Sequence, residues 1–180
     1  MTSNNPWQAS VGSRLRRDLL RVPLLLLALV CLLLALIVHG ASILGIDSEA
    51  KWPQVWLLHG ALFLIFPLAL LAAGVVARQK ALSSRDLLAL FPTSVLLLIA
   101  LAFVYALATF VLLAPRTGLG VPVVKDNHFF FNDHGVIREV TENEFHFQRS
   151  VVLRLYSSLW VYLYYLSAVL LLGARPPPHR

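Results

Sequence analysis

Histidine is the residue type in this chain best suited to chemistry, and five of the six histidines cluster near one side of its apolar runs: His39, His59, His128, His134 and His146. A neutral imidazole ligates zinc, copper or haem iron through either ring nitrogen. His39 ends one apolar run and His59 begins the next, so pairing of those two helices would offer both rings to one haem. His128, His134 and His146 share one loop and form the candidate set for a divalent metal. Their spacings match no compact signature such as His-Glu-x-x-His, and turn chemistry explains His134 as well as ligation does. A haem- or metal-binding protein is therefore the alternative reading, with the cofactor itself unspecified.

Arg154 is the second candidate, because an ionisable side chain at the edge of an apolar run either enters a buried ion pair or snorkels to headgroups. Tyr156, Trp160 and Tyr164 follow it at four-residue spacing along one helical face, while Ser158 and Tyr165 lie nearer the face of Arg154. Hydroxyls at membrane depth prefer protein partners to lipid. This helix therefore packs on the other three, or presents Arg154, Tyr156, Trp160 and Tyr164 to a partner subunit or a quinone-like ring.

Several activities lack their residues. The chain contains no glycine-rich phosphate loop, no serine-elbow motif and no Asp or Glu in the middle of an apolar run. A proton-driven pump needs such a carboxylate, and four short spans without a repeat do not make a transporter. Asp133, His134, Glu139 and His146 select no reaction, so the chain reads as non-enzymatic.

The elements that must position these residues are written in the hydropathy. With 58% hydrophobic and 13% charged residues, there is too little polar surface to coat a soluble globule. The net charge of +6 sits beside apolar runs, where it sets topology rather than binding nucleic acid. Uncharged runs predict an all-α integral membrane protein, a four-helix transmembrane bundle with spans at about 20–42, 53–77, 91–114 and 150–173, each near the 20 residues a bilayer requires. Residues 14–174 form this domain, residues 1–13 read as a disordered tail, and 175–180 as a solvated one. The first run is too long for a cleaved signal core, although Arg14, Arg16, Arg17 and Arg21 precede it.

Orientation follows from Lys and Arg. Those four arginines, then Arg78, Lys80 and Arg85, then Arg175 and Arg180 mark cytoplasmic segments, whereas the two other connections are balanced or acidic. Both termini are therefore expected in the cytoplasm, in a bacterial inner membrane.

Residues 115–149 form the one sizeable segment outside the spans. His128 to Val140 reads as a hairpin turning at Asn132-Asp133-His134-Gly135, with aromatic and β-branched flanks. Thr141-Glu142-Asn143-Glu144 has the form of a capping box, with Glu144 reaching back to the cap amide. The helix it starts projects about two turns beyond the membrane before entering the fourth span. The expected function is that of an accessory or assembly factor that shows this hairpin and helix to a membrane-protein partner or to a second copy of itself.

Overall fold

The structure, a computed structural model, describes residues 6–79, 81, 83, 86, 89–117, 121–126, 128–133 and 135–173. It is mostly helical. Four long helices, α1 (Pro6–Ile43), α2 (Leu57–Gln79), α3 (Thr93–Thr117) and α4 (Glu142–Gly173), each contain a stretch long and apolar enough to cross a membrane. A helical turn at Ser48–Lys51 and a 3-10 turn at Pro53–Trp56 link α1 to α2.

Residues 6–13, expected to be disordered, are helical, the described part of α1 beginning at Pro6. Residues 1–5 and the 175–180 tail lie outside the described residues. α3 begins at Thr93 rather than near Phe91, because the residue before a proline avoids the helical region. Pro92 contributes its carbonyl to the amides of Val95 and Leu96 instead.

The helices are not four equivalent members of a square. α4 packs against all three others, whereas α3 makes only marginal contact with α1 and α2. Half of the apolar stretch of α4 is buried, against 11% for α3. Leu25, Ala28, Cys31, Ala35 and Val38 recur every three or four residues on α1, and Leu58, Leu62, Ile65 and Ala69 do so on α2. Both rows converge on Leu153, Trp160, Tyr164, Ala168 and Leu171 of α4. Small residues on α1 let the backbones approach, so packing and hydrogen bonds hold the helices together. The buried serines of α4 cost little: Ser150, Ser158 and Ser167 donate to the carbonyls of Phe147, Leu155 and Leu163.

The expected hairpin is two-thirds of a three-stranded antiparallel sheet, β1 (Val121–Lys125), β2 (His128–Asp133) and β3 (Val136–Val140). β2 pairs with β3 as expected, with Phe129 opposite Val140 and Asp133 opposite Val136. β1 adds to the other edge, Val124 opposite Phe129. Pro122 hides this strand in the sequence, yet an edge strand tolerates a residue that cannot donate to a ladder. Gly135 turns the hairpin at φ +94°, and its amide donates to Asn132 Oδ1 at 2.9 Å. His134 lies outside the described residues.

Candidate functional site

Functional side chains gather where α4 extends past its core toward the sheet. The helix starts as its sequence requires: Glu144 N–H donates to Thr141 Oγ1 at 3.2 Å, and Glu142 and Glu144 place negative charge in the first turn. The second half of the expected box does not form. Glu144 instead accepts from Arg138 Nη2 at 2.6 Å, tying β3 to the helix, because a charged donor is the stronger partner. Under this ion pair, Phe129, Phe131, Val140 and Phe145 make a small apolar core, with the rings of Phe129 and Phe145 4.9 Å apart. One face of the sheet is therefore fixed to α4, while Val136 and Ile137 at its far edge stay 71% and 66% exposed.

Glu142, His146 and Arg149 share another face of α4 at spacings of four and three. The connection between α1 and α2 is strapped to this face. Asp47 accepts from Ala50 N–H at 3.1 Å, which starts the Ser48–Lys51 turn. The same carboxylate, with its side chain only 6% exposed, accepts from His146 Nδ1 at 2.7 Å and lies 3.5 Å from Arg149 Nε. A carboxylate only accepts here, so Nδ1 of His146 carries a proton. Arg149 Nη2 reaches Glu49 at 3.1 Å, and its guanidinium stands over the Phe145 ring at 5.5 Å. One arginine thus joins the strap, the helix and the aromatic core beneath the sheet.

Deeper along α4, two histidines are consumed by hydrogen bonds. Ser157 Oγ donates to the Arg154 carbonyl at 3.3 Å and so accepts from His39 Nδ1 at 2.8 Å. That leaves His39 Nε2 to accept from the Tyr105 hydroxyl at 2.7 Å. The chain Tyr105, His39, Ser157 connects α3, α1 and α4, and supplies a rare link between α3 and α1. His59 sits in an aromatic cluster of Trp56, Phe63, Tyr156 and Trp160, with ring centroids 5.2 to 6.2 Å from its own. Its Nδ1 accepts from Trp160 Nε1 at 3.0 Å. Tyr164 donates to the Leu58 carbonyl, a second pin between α4 and α2.

These partners decide how well the metal and haem reading fits. A metal-bound histidine places one nitrogen on the metal and gives its other N–H to an acceptor. An indole only donates, so the neutral His59 ring keeps its proton at Nε2 and offers no lone pair there. Both nitrogens of His39 are already bonded to hydroxyls, and the two histidines are held by separate partners on α4. His128 bonds to Glu139 across the sheet at 2.6 Å, while His146 bonds to Asp47 on the strap. Among the described residues no three His, Cys, Asp or Glu side chains form a group able to hold a metal ion. His39 and His59 therefore offer a haem no free lone pair, whereas His128 and His146, each bonded through Nδ1 to a carboxylate, belong to no such group, and His134 lies outside the described residues.

The partner surface expected on the fourth span also changes. Trp160 and Tyr164 are fully buried, and Tyr156 is half-buried against Trp56, so this face is interior packing. Only Arg154 of that set stays away from the α4–α2 contact. Residues missed in the sequence were Asp47, Tyr105 and Ser157. Tyr105 carried a weak signal as a phenol within an otherwise aliphatic run, and Asp47 as a cap before Ser48-Glu49. No family model matches this chain, and no curated protein or solved structure matches it either.

Proposed function

We propose that this chain is a multi-pass protein of the bacterial inner membrane, with both termini cytoplasmic, that serves as a non-enzymatic accessory or assembly factor. Its working part is the platform of β1–β3 on the projecting end of α4. Insertion is supported by the long helices, whose outward flanks carry exposed side chains such as Leu33, Phe63, Leu101 and Val111 that water would penalise and lipid would not. The arginine and lysine distribution supports the orientation.

One observation carries the functional reading. The platform is tied down by the Phe129–Phe145 core, the Arg138–Glu144 pair and the Asp47 strap, yet it leaves Val136, Ile137 and Phe147 exposed. Apolar side chains held on a fixed polar-rimmed element are the pattern of a protein contact. The histidines nearby act as structural hydrogen-bond partners, which favours docking over chemistry. Deleting residues 127–140 should abolish co-purification of a membrane-protein partner while the protein still inserts. Recovery of the same partner by the deleted form contradicts the proposal.

A further inference from the structure

We infer that Arg154 forms the head of an intramembrane site for the phosphate of an anionic phospholipid, in the gap between α1 and α3; this rests on the reading that the helices span a bilayer. Three arginines are described on α4 and the sheet. Arg138 pairs with Glu144, and Arg149 with Glu49 and Asp47, whereas Arg154 has no carboxylate partner among the described residues. A guanidinium within a span needs a counter-charge, and its planar fork suits a phosphate.

Packing around α4 shows where that charge would come from. At about 100° per residue, Ser157 and Ala168 share the face toward α1. Ser157 bonds to His39, and both are buried. Tyr162 stacks on Phe103, and Gly173 lies under Phe91, which marks the face toward α3. Arg154, Val161, Tyr165 and Leu172, spaced seven, four and seven residues apart, fall on the stripe between these faces. The first three are half-buried and Leu172 is exposed. Val161 packs on the core shared by α1, α2 and α4, and because α1 and α3 scarcely touch, the stripe from there to Tyr165 and Leu172 opens sideways between them. An acyl chain lying along Val161, Tyr165 and Leu172 would carry its phosphate toward Arg154, beside the His39–Tyr105 bridge. The Arg154 carbonyl accepts from Ser157 Oγ at 3.3 Å, so the site also borders the hydrogen-bond chain that joins three helices.

The test uses the full chain in nanodiscs containing phosphatidylglycerol and phosphatidylcholine, with retained lipid read by native mass spectrometry after mild extraction. Wild type should keep one phosphatidylglycerol, Arg154→Gln should retain it about tenfold less, and Arg154→Lys should fall between them, because the charge survives without the fork. Equal retention of the two lipids by wild type, or unchanged retention by Arg154→Gln, overturns the site. Displacement of the lipid by millimolar inorganic phosphate assigns the pocket to a soluble anion and overturns the lipid assignment. Resistance of each variant to alkaline extraction reports insertion separately, so failure of the membrane reading is distinguishable from failure of the site.

Discussion

Asp47 and His146 stand 99 residues apart in sequence, and their side chains meet at 2.7 Å. That contact closes the α1–α2 connection against the projecting end of α4, and the sheet rests on the same helix turns. The platform and the strap are therefore one mechanical unit. What happens at Asp47 should be felt at the sheet.

Asp47→Ala removes the acceptor shared by Ala50 N–H and His146 Nδ1, and the carboxylate beside Arg149. Buried hydrogen bonds to a charged group contribute about 1.5–3 kcal/mol. The variant should melt earlier in detergent and expose the 44–56 connection to protease. An unchanged melt and unchanged cleavage contradict the strap. His146→Ala should have a smaller effect, since Arg149 and Ala50 still hold the carboxylate.

Tyr105→Phe leaves His39 Nε2 without its donor and removes a link between α3 and α1. Interhelical hydrogen bonds of this type contribute about 0.6–1.7 kcal/mol. Because α3 has so few other contacts, the loss should broaden the α1–α3 distance distribution between spin labels more than it lowers the melting temperature. A distribution as narrow as wild type contradicts the role assigned to the bond. The double variant with Ser157→Ala should be non-additive, as both substitutions act on one imidazole.

Gly173 has no room for a side chain: a Cβ there would lie 2.3 Å from Phe91 Cζ. Gly173→Ala must push the ring that closes α3 onto the far end of α4, a strain of about 1–3 kcal/mol. Thermal unfolding in detergent should show that loss, and Phe91→Ala in the same chain should restore part of it. If Gly173→Ala is neutral, the close approach is absent.

The four long helices were legible because an uncharged run long enough to span is a one-dimensional signal. The start of α4 was legible for a similar reason, since Thr141 and Glu144 lie three residues apart. What the sequence did not reveal depends on contacts between distant residues. The partners of His39 lie 66 and 118 positions away, and that of His59 lies 101 away, so histidines that resembled ligands proved to be hydrogen-bonded to Ser157, Tyr105 and Trp160. β1 was hidden by Pro122, which argues against a strand except at an edge. The central place of α4 was present only as an excess of serine and aromatic residues, which fits an outward partner face as well as the interior that Trp160 and Tyr164 form.

A photo-crosslinking amino acid at Ile137 tests the platform as a docking surface directly in native membranes. The side chain it replaces is 66% exposed and lies in no buried core. A discrete protein adduct at position 137, absent from the same probe at Leu101 and lost when Val136→Asp is added, is the predicted result. Adducts at 137 that match those at 101, or none at either, would contradict the claim that the sheet is where this protein meets its partner.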